Sequence, residues 1–105
     1  MSEKEAPLPP PTFEYLVLSL KMQAEMYLGM FHFGEEKDRP EPDVRLARHS
    51  IDLLGELQVK TKGNLSIEEQ RLLDNSLTEL RFRCVQASAQ PPKSNTAEAG
   101  AGENA

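Results

Sequence analysis

The chain has 105 residues, a single cysteine and a formal net charge of −5. That length holds one small domain; the lone Cys84 excludes an internal disulfide, and no Cys and His cluster has the spacing of a structural zinc site. The acid excess opposes non-specific nucleic-acid binding, which depends on Lys and Arg neutralising phosphates.

Residues 1–11, MSEKEAPLPPP, are charged and proline-rich, and a segment of that composition buries too little apolar surface to offset ordering. It is predicted to be a disordered tail. It also lacks the basic patch and apolar run of a secretory leader, so the expectation is a cytoplasmic protein.

The ordered domain is predicted over residues 12–86 and is all-α: a long N-terminal helix and a two-helix hairpin. The prolines through Pro11 stop any earlier helix, Thr12 can cap the first one, and Glu14 sits where the helix dipole favours an acid. The periodicity predicts a helix to about Phe31. At 100° per residue, Phe13, Leu16, Val17, Leu20, Ala24, Tyr27, Leu28 and Phe31 share one face. Tyr15, Leu18, Met22, Met26 and Met30 share the opposite one, with Lys21 and Glu25 in one polar seam and Ser19 and Gln23 in the other. Glu14, Lys21 and Glu25 make this segment unsuited to a bilayer. A helix that is apolar on two sides must be covered on both.

FGEEKDRPEPD, with Gly34 and two prolines, is a loop. Asp43 caps a second helix over 44–60, with Leu46, Ala47, Ser50, Ile51, Leu53, Leu54 and Leu57 in its buried stripe. Arg45, Arg48, His49, Asp52 and Glu56 form the wet one. Gly55 costs ~1 kcal/mol against Ala inside a helix, and close approach of another helix would be one physical reason for it. The KTKGN stretch reads as the end of this helix. Gly63 and Asn64 tolerate the left-handed conformation, and Lys60 and Lys62 suit the negative end of the dipole. A phosphate-binding Walker loop would require a second glycine directly before the lysine, which is absent.

Ser66 and Glu69 then form a capping box for a third helix over 67–86. Its buried stripe is Leu73, Leu77, Leu80, Cys84 and Ala87, with Leu72 and Ser76 at the shoulder; Phe82 and Val85 point elsewhere. The short GN connection makes helices two and three an antiparallel hairpin, with helix one packed across it. Residues 87–105, rich in alanine, glycine and polar residues, are predicted to be a second disordered tail.

These positions carry a resemblance. FEYLVLSLKMQAEMYLG followed by LARHSIDLLGELQVKTKGNLSIEEQRLLDNSLTELRFRC resembles the bacterial family of domain of unknown function number 1844, over nearly the whole ordered core. The strongest parts are the aromatic start and LG ending of the first helix, the A-R-x-x-I-D-x-L turn, the K-T-K-G-N-L connection and the final E-L-R. The His-Phe loop and the alanine-rich tail depart from the pattern. The resemblance implies no activity, substrate or cofactor, and hints at a role around the ribosome.

The chemical inventory is thin. His49 and Asp52, three apart on helix two, have the spacing of an imidazole held by a carboxylate, which is also that of an ordinary solvated pair. His32, between two phenylalanines, reads as a packed or capping residue, and Cys84 as a small core side chain. Lys60, Lys62, Arg81 and Arg83, the last two flanking Phe82, make the alternative reading, an RNA or ribosome contact, since charge and stacking together grip RNA. The leading expectation is a non-enzymatic interaction protein with no catalytic residue, cofactor, metal or small-molecule substrate. A domain of ~75 residues nets only ~3–5 kcal/mol from its core without help from staples or association. Leaving Tyr15, Leu18, Met22, Met26 and Met30 in water would forgo ~7–15 kcal/mol as an upper bound. A homodimer through that face, or another protein partner, is the expected solution.

Overall fold

The structure, a computed structural model, describes residues 6–89. The domain is all-α, with helices α1 (Phe13–Tyr27), α2 (Val44–Lys60) and α3 (Ile67–Ala89) and a short 3-10 turn over Glu36–Asp38. Residues 1–5 and 90–105, most of the two predicted tails, lie outside the described residues.

The caps follow from side-chain chemistry. Thr12 Oγ1 accepts from the Tyr15 N–H at 3.0 Å, and Asp43 Oδ1 from the Leu46 N–H at 3.0 Å, each occupying a donor the first helical turn leaves free. Before α3, the Glu69 N–H donates to Ser66 Oγ at 3.0 Å while Glu69 Oε1 accepts from the Ser66 N–H at 2.8 Å, the reciprocal pair of a capping box. Gly63 ends the α2 connection with φ +84°, as the KTKGN reading requires.

Two helix ends differ from expectation. α1 stops at Tyr27, four residues short of the expected Phe31. Gly29 has φ +79°, and the N–H groups of Gly29 and Met30 donate to the carbonyls of Met26 and Glu25, both at 3.0 Å. This is a Schellman termination, which a left-handed residue imposes even inside an apolar run. α3 continues three residues past the expected end at Gln86, to Ala89. Nothing in Ala87, Ser88 or Ala89 breaks a helix, and Ser88 Oγ bonds back to the Cys84 carbonyl at 3.0 Å.

The hairpin register is read from cross-helix pairs. Gln58 Nε2 donates to Asp74 Oδ1 at 2.8 Å near the turn. Farther from it, Arg48 and Ile51 share a pocket with Arg81 and Cys84. α2 and α3 are therefore antiparallel, and α1 packs against both. The core is Val17 and Ala24 of α1, Ile51 and Leu54 of α2, and Leu73, Leu77, Leu80 and Cys84 of α3, flanked by half-buried Phe13, Leu20, Leu57 and Leu72. Small side chains at Ala24, Ala47, Ser50 and Ser76, all buried, let the helices approach closely. The Ser50 hydroxyl is fully enclosed without a hydrogen-bond partner among the described residues.

Burial corrects the expected faces in detail. Leu16 and Phe31, assigned to the packed side of helix one, are 45% and 48% exposed, and Leu53 of the α2 stripe is also exposed. The packed arc of α1 is turned toward the Lys21–Glu25 seam. Glu25 is consequently buried, with its carboxylate 2.6 Å from Lys21 Nζ. Contact with two neighbours sets the centre of that arc, and periodicity along one helix does not report it.

The connection from α1 to α2 is held at both ends. The Asp43 N–H donates to the Tyr27 carbonyl at 2.7 Å, joining the start of α2 to the end of α1. Arg39 makes a two-pronged contact with Glu36, Nε to Oε2 at 2.8 Å and Nη2 to Oε1 at 3.0 Å, and its Nη1 donates to the Gly29 carbonyl. The hydrogen bonds to Glu36 raise the Arg39 pKa above its ordinary value.

Candidate protein interface

α1 owes its position to the caps and the Schellman turn, so the faces of one 15-residue helix decide what it presents. On the side away from α2 and α3, Tyr15 is 46% exposed, Leu18 42%, Met22 52% and Met26 62%. Met30, the fifth member of the expected interface, lies beyond the helix in the Schellman turn and is half-buried. The four helical residues thus form one continuous apolar strip. Lys21 and Glu25 neutralise each other along one flank, and Ser19, whose hydroxyl bonds to the Tyr15 carbonyl at 2.9 Å, lies on the other. Glu14 shares the flank of Lys21 and Glu25, the four strip residues are themselves uncharged, and methionines give the strip a deformable surface.

The alternative basic set is spread out. Lys60 and Lys62 are exposed at the hairpin tip. Arg83 is paired with Glu79 at 3.1 Å one turn earlier on its own helix. Arg81 sits farther along the hairpin, in the pocket it shares with Arg48 and Asp52. The same residue bears on Gly55: a Cβ there would meet Arg81 Nη2 at 3.4 Å, so the neighbouring helix α3 approaches this glycine with a guanidinium.

His49 and Asp52 line one open groove of about 640 Å³ with Val44, Arg45, Leu46 and Arg48. No hydrogen bond joins the two side chains. His32 Nε2 lies 2.9 Å from the Glu35 carbonyl; the carbonyl can only accept, so Nε2 carries the proton and the ring is a local loop fastener. Cys84 is buried. Among the described residues, no group of three His, Cys, Asp or Glu side chains is placed to hold a metal ion, and no helix is long and apolar enough to cross a membrane.

Residues 10–86 match the family described as Domain of unknown function (DUF1844). The chain belongs to that family. The match spans all of α1 and α2 and nearly all of α3, so the buried core and the apolar strip of this DUF1844 member fall inside it. No curated protein and no solved structure matches the chain.

Arg48 is the residue sequence reasoning undervalued. It stands in the wet stripe of α2, and only the hairpin register brings it into a pocket that Arg81 also lines.

Proposed function

We propose that this protein is a small, non-enzymatic, cytoplasmic interaction module that self-associates through the second face of α1, as an adaptor or regulatory subunit. The observation that carries the reading is the exposure of Tyr15, Leu18, Met22 and Met26 on a helix whose other side is already buried against its own chain. A two-fold axis lets one such strip cover itself.

The gain is modest. Each of the four side chains is about half exposed, so covering the remainder contributes ~0.7–1.5 kcal/mol apiece. Over two copies that is ~6–12 kcal/mol, within the ~4–15 kcal/mol that association costs. The reading therefore specifies a reversible dimer. Sedimentation velocity over a series from micromolar to sub-millimolar protein should show the mass rising toward two chains. Met22→Glu with Met26→Glu removes half of the gain and plants four carboxylates on the interface, and should remain a monomer throughout with unchanged helical circular dichroism. Wild-type protein that is monomeric across the series, or a double variant that associates as well, refutes self-association by this face.

A further inference from the structure

We propose that residues 6–11, APLPPP, are a preformed ligand for a protein groove lined with aromatic side chains, a second contact that does not depend on self-association through α1. Four of these six residues are proline, and each proline ring fixes its own φ near about −65°. The other two, Ala6 and Leu8, each precede a proline, as do Pro9 and Pro10, and a residue so placed is held in extended or polyproline backbone. Every residue of the run is therefore restricted by covalent chemistry alone. The conformation that satisfies them together is the left-handed polyproline helix. Pro11 has no proline after it, and there the run ends: the Thr12 N–H donates to the Pro10 carbonyl at 2.9 Å, closing a tight turn around Pro11. Thr12 then caps α1.

The fold does not use this run. Residues 6–12 are all exposed, and Leu8 is 88% exposed. Among the described residues, the turn to Thr12 is the single hydrogen bond that residues 6–11 make. One proline before Thr12 suffices to stop α1 from extending backwards, so the helix start accounts for Pro11 and leaves Pro7, Pro9 and Pro10 unexplained. Pro7, Leu8 and Pro9 also precede the family match, which begins at residue 10.

The shape names the kind of partner. Three residues per turn and a ~3.1 Å rise put Pro7 and Pro10 on one ridge, ~9 Å apart, with Leu8 beside them on the next. Rings and a leucine so spaced are apolar plates that fit the slots between aromatic side chains. The carbonyls of Pro7 and Leu8 accept nothing from their own chain, which leaves them for a Trp or Tyr donor on the partner. Because the backbone is already ordered, docking forfeits little conformational entropy, which is how so short a segment can hold a partner. The adjacent Glu3, Lys4 and Glu5 carry charges of −1, +1 and −1, so the apolar ridges and not a strong local charge define the contact.

Isolated SH3, WW and EVH1 domains, which carry such grooves, are the probes. Each is isotope-labelled and titrated with the full chain by NMR, and at least one should show saturable shifts at its aromatic groove. Pro7→Ala with Pro10→Ala touches nothing in the core and should leave helical circular dichroism unchanged. It should weaken the binding about ten-fold or more, because it removes both rings of one ridge and frees the backbone around them. Met22→Glu with Met26→Glu should bind like the wild type whatever its own mass, which separates failure here from failure of the self-association reading. No saturable binding by any of the three domain types, binding undiminished by the double proline variant, or binding lost instead on the methionine substitutions overturns the proposal.

Discussion

Gly29 and Gly63 offer a controlled comparison, because they share a backbone conformation and differ in what surrounds them. Their φ values are +79° and +84°, so alanine at either one bears a similar left-handed penalty of ~1–2 kcal/mol. A Cβ on Gly63 meets nothing within 4 Å, whereas on Gly29 it would stand 3.0 Å from the Pro40 carbonyl oxygen, a backbone atom that can yield only if the whole connection moves. That movement also loosens the Arg39 hydrogen bond to the Gly29 carbonyl, adding ~1 kcal/mol. Gly63→Ala should therefore cost ~1–2 kcal/mol and Gly29→Ala ~2–3 kcal/mol, against the ~3–5 kcal/mol expected of a core this size. At ~4–8 °C per kcal/mol, thermal unfolding followed by circular dichroism should show Gly29→Ala falling several degrees further than Gly63→Ala. Urea denaturation with an unchanged slope would show that stability changed while the surface exposed on unfolding did not. Equal losses at the two positions would refute the argument that the α1–α2 connection is docked through Gly29.

Three other substitutions probe the packing. Leu77→Ala empties a buried position between the helices and should cost ~2–5 kcal/mol, enough to leave the chain largely unfolded at room temperature by circular dichroism. Ser50→Ala removes an enclosed hydroxyl with no partner and should raise the urea midpoint, by ~1 kcal/mol of stability, the reverse of the usual sign for a core change. Ser66→Ala breaks the capping box and should lower stability by ~0.5–2 kcal/mol, with the first turn of α3 losing protection in amide hydrogen exchange.

The parts of the fold legible in the sequence were those written in short-range chemistry. α2 has the expected bounds because Asp43 starts it and the KTKGN stretch stops it, and α3 begins where Ser66 and Glu69 require. The end of α1 was obscured by the apolar residues after Gly29, whose periodicity continues past a backbone signal that overrules it. Leu16 and Leu53 went to the wrong side because an apolar stripe on one helix does not say which part of its arc two neighbours will cover. Of the candidate surface, Tyr15, Leu18, Met22 and Met26 were visible as a stripe, since their exposure follows from the spare face of a helix with too few partners. Arg48 and Arg81, far apart in sequence, line one pocket only through the hairpin register, and no local pattern encodes that.

The placement of α1 first in the chain bears on how the protein is made. Both of its greasy flanks emerge before any of the two helices that cover one of them, and α2 and α3 are completed only at Ala89. At ~5–20 residues per second the nascent segment waits ~3–12 s for its cover. During synthesis this helix is therefore a natural client for chaperones, and a mature neighbour able to hold its outer flank would protect the newborn chain from clumping.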